Sequence, residues 1–341
     1  MYLWYSCNIY CAAQATDRLA YRRFTPVVGA AVTMDVLVTG GDGFVGRHLC
    51  SELLDRGHDV TSLSRTPDPS VLPSEVDLQQ GDVTDYDSIE DAFEGKDVAV
   101  NLAALPPLHQ PPKETSHDSV CIGGSINAVE AAEQHGVSKF VEMSSLGADP
   151  NGDTAYWRTQ GLGEKVVRYS ELDWIVFRPS FIFGEGSETF TFVKRHTTPY
   201  VTLLPDGGDR PRFQPIWIGD CVDIFADGIE DDAYDGEVYE LGGPEVLSFG
   251  EVTRMLYEAD GKSIEILPVP MRLATVALHA VDPISSIPLG VDQARALKMT
   301  NVADHNDVDA FGYDESNLTP LSAYLKGEQR HRPQRRPVPS D

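Results

Sequence analysis

The sequence predicts an α/β chain, with a doubly wound parallel sheet followed by a smaller C-terminal lobe. Three observations carry that prediction. Short apolar runs rich in β-branched residues alternate with segments of helical periodicity through the first half, the pattern of parallel strands covered on both faces. The first run, Val36, Leu37 and Val38, ends in Thr39 and passes through Gly40, Gly41, Gly43 and Gly46 into a helix. Beyond Arg178 and Pro179 the alternation breaks into loop-rich sequence.

The glycine turn is the element around which the rest is arranged. A strand, a glycine turn and a helix in that order leave the first N–H groups of the helix facing the turn, an anion site suited to a pyrophosphate. Gly40 permits the tight turn, Gly43 lets the backbone approach the phosphates, and Gly46 lets helix and strand pack closely. The spacing is G-x-x-G-x-x-G, a variant of the Rossmann-type dinucleotide fingerprint. After it, Phe44, Val45, Leu49, Leu53 and Leu54 recur at helical spacing up to Gly57.

Residues 58–64 form the second strand, whose end receives the adenosine ribose. An acid there selects NAD, whereas an Arg accommodates a 2′-phosphate. Ser64 and Arg65 stand there, with no acid until Asp68, which favours NADP(H) over NAD(H); Asp42 in the glycine loop opposes that preference. Residues 76–80 are a third strand, after which Asp82 is placed to accept from the adenine amino group, with Val83 against the ring. Asp87 caps a short helix over 88–93. Residues 97–102 are a fourth strand, where Leu102, Ala103 and Ala104 leave room for the nicotinamide half. The Pro-rich stretch 105–112 is a loop at the same sheet edge. His109 and His117 flank this cleft, read as surface groups.

A long helix over 116–135 precedes a fifth strand at 139–143, leading into Ser144 and Ser145. A helix over 154–169 and a sixth strand at 173–178 complete the first half. In the second half residues 213–219 return as a strand, 220–228 and 248–259 are helices, and 239–243 is a late strand and turn. The domain reading is thus 34–180 for dinucleotide binding, with 213–242 returning to it, and 181–326 for substrate or partner. Residues 270–281 form an apolar helix too short to span a hydrocarbon core of about 30 Å. Lobe core is the preferred reading; a docking face for a partner or a membrane surface is the other. Residues 327–341, rich in Arg and Pro, read as a disordered tail.

Of 53 acidic residues 32 are Asp, and of 27 basic residues only 8 are Lys. Residues 34–326 hold 50 acids and 20 bases, a surface that repels nucleic acid and anionic lipid. The Asp-rich, Lys-poor balance suits concentrated salt, where the screening length falls to about 3 Å at ~1 M. Five scattered Cys argue for a reducing, cytoplasmic setting without a disulfide framework. Residues 1–33 are aromatic and basic without periodicity, and lack a basic segment ahead of a clean apolar core, so they read as an extension outside the fold rather than a signal peptide. Cys7 and Cys11 have no partners at metal spacing, and no metal is predicted.

The order of these motifs resembles an extended or atypical short-chain dehydrogenase/reductase of NAD-dependent epimerase/dehydratase type. The resemblance rests on Thr39 through Gly46, Asp82 with Val83, Asn101 through Ala104, Ser144 with Ser145, Tyr156, Arg178-Pro179-Ser180 and Glu240 through Pro244. The run from Ser144 to Thr159 looks like the branch containing the nucleotide-binding accessory subunit of respiratory complex I. The resemblance covers about 34–326 and implies a cofactor site lined also by Phe44, Val45 and Pro179. It implies that Ser145 (or Ser144) positions a substrate oxygen and that Tyr156 transfers the proton. It further implies a Lys four residues after the Tyr, to lower the tyrosine pKa and hold the nicotinamide ribose. Here that residue is Gln160. An amide one turn on reaches a ribose hydroxyl, but a shift of a tyrosine from about 10 to about 7 takes roughly 4 kcal/mol, which a neutral group does not supply. Lys165 lies about 13 Å along the helix and Arg158 points away, so neither substitutes. Two function classes follow: a dinucleotide-binding protein of weak catalysis, docked to a respiratory or other protein partner and peripheral to the membrane through it, or an NAD(P)-dependent reductase or epimerase/dehydratase acting on a nucleotide sugar or other carbonyl compound.

Overall fold

The structure, a computed structural model, describes residues 33–105, 115–281, 295 and 300–328. His109, Cys7, Cys11, the extension before Thr33 and the tail beyond Glu328 lie outside the described residues. The strands are β1 (Asp35–Thr39), β2 (Asp59–Ser64), β3 (Asp77–Gln80), β4 (Val98–Asn101), β5 (Lys139–Met143), β6 (Asp173–Pro179), β7 (Ile182–Phe183), β8 (Tyr200–Pro205), β9 (Arg212–Phe213), β10 (Ile216–Trp217), β11 (Glu237–Leu241), β12 (Leu247–Ser248) and β13 (Ile264–Val269). Seven of them form one sheet in the order β3-β2-β1-β4-β5-β6-β11, every pair parallel. The strand order reverses between β1 and β4, so a crevice opens at their carboxyl ends, where sheets of this kind hold ligands.

The helices are α1 (Phe44–Asp55), α2 (Tyr86–Ile89), α3 (Gly124–His135), α4 (Ala155–Arg168), α5 (Glu188–His196), α6 (Ile218–Glu230), α7 (Phe249–Ala259), α8 (Met271–Val281) and α9 (Leu321–Leu325). One sheet face carries Val36, Val38, Val100, Val141 and Phe177 against α1 and α6. The other carries Leu37, Ala99 and Phe140 with the alanines of α3. Leu37 lies between Val36 and Val38 yet faces the opposite core, as the two-residue period of a strand requires. A third core of Phe183, Val193, Leu247, Val252, Leu256 and Leu321 lies apart from the sheet.

Four details correct the sequence reading. The stretch 213–219 is not one strand: β9 and β10 pair with different partners, Pro215 lies between them, and Ile218 already begins α6. Pro has no N–H to give a ladder. The helix read over 116–135 opens as a π-helical turn, Asp118–Gly123, with the Gly124 N–H bonded to the Ser119 carbonyl. Asp87 does not cap its helix; α2 starts at Tyr86 with Asp85 at the N-cap position, and Asp87 sits in the first turn, where its charge meets the positive helix end. In α8, Leu273 and Val276 are 62% and 67% exposed, so this helix does not place those side chains in lobe core. No helix of the described residues is long and apolar enough to cross a membrane.

Candidate dinucleotide and catalytic site

The glycine turn is closed by its own backbone. The Gly40 N–H donates to the Leu63 carbonyl at 2.8 Å, the Gly43 N–H to the Gly40 carbonyl at 3.0 Å, and the Arg47 N–H to the Gly43 carbonyl at 3.0 Å. Gly40 takes φ +71°, a region that side chains disfavour. A Cβ on Gly46 would stand 2.2 Å from the Gly40 carbonyl oxygen, and one on Gly41 would stand 2.4 Å from Ser62 Oγ. Gly41 is therefore as constrained as the three glycines of the motif, through a residue of β2 that the spacing rule does not mention. The N-cap of α1 is Gly43, with no side-chain cap and no acid in the first turn. Phe44 and Val45 open the helix. The result is a close-packed cradle with an uncapped, positive helix end, which fits a pyrophosphate.

The neighbouring strand ends converge on this turn. The Leu102 N–H donates to the Thr39 carbonyl at 3.1 Å, and the Gly40 Cβ position lies 3.5 Å from the Leu102 backbone. Ala103 and Ala104 follow, half-buried. At the end of β2, Ser64 Oγ donates to Asp42 Oδ2 at 2.8 Å, while Arg65 is exposed and its carbonyl accepts from Gln80 Nε2 at 3.1 Å. Both an acid and a guanidinium thus occupy this end. Asp82 Oδ1 accepts from the Thr84 N–H and hydroxyl, and the Val83 carbonyl accepts from Asn127 Nδ2 at 2.8 Å. Pro179 closes β6, its carbonyl accepting from the Leu146 N–H at 3.1 Å.

Tyr156 stands in the first turn of α4, whose N-cap Thr154 accepts from the Trp157 N–H at 3.3 Å. The Trp157 indole N–H in turn donates to the Leu146 carbonyl at 2.7 Å, which fixes α4 to the loop after β5. Gln160 Nε2 donates to the Tyr156 hydroxyl at 3.4 Å. Of the two candidate serines, Ser144 is engaged elsewhere, its hydroxyl donating to Glu164 Oε1 at 2.6 Å. Ser145 Oγ is buried, faces Tyr156 and falls short of hydrogen-bond geometry. Burial raises the Tyr156 pKa, and the contacts with Ser145 and Gln160 offset only part of that rise. Lys165 is exposed and Arg158 donates to the Gly152 carbonyl at 3.3 Å, so neither serves Tyr156. His117, read from the sequence as a surface group, is instead buried, its ring 5.8 Å from that of Tyr156.

Beneath the site lies a polar network that the sequence reading did not anticipate. Thr39 Oγ1 donates to Asn101 Oδ1 at 2.6 Å, and Asn101 Nδ2 donates to Glu142 Oε2 at 2.9 Å. Glu142 Oε1 lies 3.2 Å from Ser125 Oγ, which donates to the Cys121 carbonyl at 2.8 Å. Burial pushes the Glu142 carboxyl up to about 8. A proton on Oε1 satisfies the whole chain, because Glu142 then donates to Ser125 while the Ser125 proton stays on Cys121. Glu164, in turn, accepts two short bonds from Arg178 at 2.7 and 2.6 Å. The signal was present in the sequence as an acid at the end of an apolar strand.

Comparison with known proteins agrees with this geometry. A family model described as NAD(P)H-binding matches residues 40–202. A 3 beta-hydroxysteroid dehydrogenase/Delta 5-->4-isomerase of Mycobacterium tuberculosis is 30% identical over 264 residues, covering 67% of this chain and 70% of that protein. The mitochondrial NADH-ubiquinone oxidoreductase 40 kDa subunit of Neurospora crassa is 27% identical, covering 69% of this chain and 63% of the subunit. Among solved structures, the Thermus thermophilus UDP-glucose 4-epimerase complex with NAD superposes with TM-score 0.67 at 21% identity, covering 86% of this chain and 97% of the epimerase. At that identity the likeness is one of fold.

Proposed function

The chain belongs to the extended short-chain dehydrogenase/reductase family, NAD-dependent epimerase/dehydratase type, and from that premise we propose a dinucleotide-binding protein of weak catalysis, similar in role to complex I accessory subunits. One observation carries the reading: the Tyr156 hydroxyl meets the Gln160 amide at 3.4 Å where active members of the family place an ammonium. Tyr156 is half-buried, and desolvation of its hydroxyl raises its pKa; a neutral amide leaves the phenol a poor proton donor at neutral pH.

In this reading Gly40, Gly43, Phe44, Val45 and Gly46 hold the pyrophosphate, and Ser64 with Arg65 holds the adenosine ribose. Asp82 and Val83 flank the adenine, while Leu102, Ala103, Ala104 and Pro179 border the nicotinamide half and Gln160 bonds its ribose. When bound, the dinucleotide supplies or accepts a hydride at its nicotinamide. NADP(H) is favoured over NAD(H), since Arg65 is an exposed cation at the end of β2. The dinucleotide half is 34–180 with 213–242 returning to it, and the rest of 181–326 meets a substrate or partner. The same reading has the protein cytoplasmic and held at a membrane only through a respiratory or other partner.

A second reading is supported by the Ser145 hydroxyl, buried without a hydrogen-bond partner beside Tyr156, which in this reading positions a substrate oxygen. It makes the chain a reductase or epimerase/dehydratase acting on a nucleotide sugar or other carbonyl compound. Hydride transfer from NADPH and NADH across a carbonyl panel decides between the two, with wild type, Tyr156→Phe and Gln160→Lys run side by side and dinucleotide affinity measured for each and for Arg65→Asp. Retained binding without wild-type turnover supports the first reading. A robust rate that collapses in Tyr156→Phe supports the second. Equal NAD(H) affinity that Arg65→Asp leaves unchanged overturns the NADP(H) preference.

A further inference from the structure

The family reading leaves Tyr156 without the cation it needs on the Gln160 side. The other side of the ring is not apolar. His117 packs there at 8% exposure, ring centroids 5.8 Å apart and planes at 74°. The approach is built into the backbone. Tyr156, Thr159 and Gly163 share one face of α4, and a Cβ on Gly163 would stand 2.7 Å from the Cys121 carbonyl oxygen. Glycine at 163 therefore lets the π-helical turn, with His117 at its N-cap, press against α4.

We propose that His117 is the positioning residue for Tyr156: as an imidazolium it supplies the positive charge that lysine supplies elsewhere in the family, so the acidity of Tyr156 is gated by pH. The inference rests on the reading of Tyr156 as the proton-transfer group. A cation within about 6 Å of an aromatic centroid is attracted to the ring, and more strongly to a phenolate. At an effective dielectric of about 20 a unit charge about 6 Å away shifts a neighbouring pKa by roughly two units, on the order of a hundredfold in phenolate population.

The groups around the imidazole set the sign. On its own turn are Asp118, which favours the charged ring, and the Cys121 thiol, raised by burial. From α4 Tyr156 faces it. A solvated imidazole titrates near 6.5 and burial disfavours its charged form, so the charge belongs to the acidic side of that value and is lost as pH rises. A lysine would stay charged to about 10. Proton donation by Tyr156 is thus strongest in mildly acidic solution, unlike that of a lysine-bearing relative.

The test places 3-fluorotyrosine at position 156 of the full chain in concentrated KCl and follows its fluorine resonance from pH 5 to 8.5. The expected result is a titration step in wild type that is absent in His117→Phe, which keeps the ring contact and loses the charge. Gln160→Lys, in either background, should lower the phenol's own pKa by about two units and shows that the probe reports charge. Melting curves verify that the variants fold, and His117→Gln replaces His117→Phe if the latter does not. No step in wild type, or a step that persists without His117, overturns the inference. A wild type that binds no dinucleotide overturns the functional reading instead, and leaves the ring titration to be judged separately.

Discussion

Glu142 shows how one buried residue decides the behaviour of a site. Its carboxyl ends a hydrogen-bonded chain from Thr39, at the root of the glycine turn, through Asn101 to Ser125. With its pKa raised to about 8 by burial, the folded state keeps a proton that the unfolded chain releases near 4.3. Stability is therefore full below about pH 4.3 and falls as pH rises toward 8, where the folded state also ionises. Glu142→Gln preserves an acceptor for Asn101 and a donor for Ser125 while removing the charge. Its melting temperature should match wild type near pH 5 and exceed it near pH 9 by about 5 °C or more, corresponding to ~2 kcal/mol. Equal melting curves at both pH values would mean that Glu142 is already ionised at neutral pH.

At the scale of elements, α1 and α6 are joined by a single guanidinium. Arg56 donates to Glu52 Oε1, Asp227 Oδ1 and Glu230 Oε2, each at 2.8 Å, and to the Asp223 carbonyl at 3.2 Å. Asp227 also accepts from the Tyr313 hydroxyl at 3.0 Å, which ties the C-terminal segment to the same helix. Glu52, Asp223 and Asp227 are buried, so the cation is what makes their burial tolerable. Arg56→Ala removes the cation shared by those carboxylates and should cost about 3 kcal/mol or more, seen as a lower urea midpoint at neutral pH. A loss below about 1 kcal/mol, the value of an exposed pair, would show that solvent already reaches the cluster. The helix α8 has the opposite character, for its exposed Leu273 and Val276 accompany exposed Tyr200, Leu203 and Leu267 on β8 and β13.

At the scale of the whole molecule, the net charge is −26. Carboxylates crowd the surface, and at low salt they repel one another over a Debye length of about 10 Å at 0.1 M. We propose that the fold is adapted to concentrated salt. The melting temperature should rise by more than 10 °C between about 0.1 M and 2 M KCl, with most of the gain at the lower concentrations, where screening changes fastest. A flat curve would indicate an acidic protein with no salt requirement.

The sequence by itself determined the sheet, the glycine turn and the gap at Gln160, because each depends on local rules. Short continuous apolar runs specify strands buried on both faces, a glycine cluster after such a run specifies a turn, and residues four apart share a helix face whatever surrounds them. Tertiary structure alone decided which groups meet across elements. Ser62 of β2 is what forbids a side chain at Gly41. Glu164 is what withdraws Ser144 and leaves Ser145 facing Tyr156. Gly163 on α4 is what brings a π-helical turn, and with it His117, onto the Tyr156 ring. These partners are separated by tens of residues along the chain, and local periodicity carries no information about contacts made across a packed core.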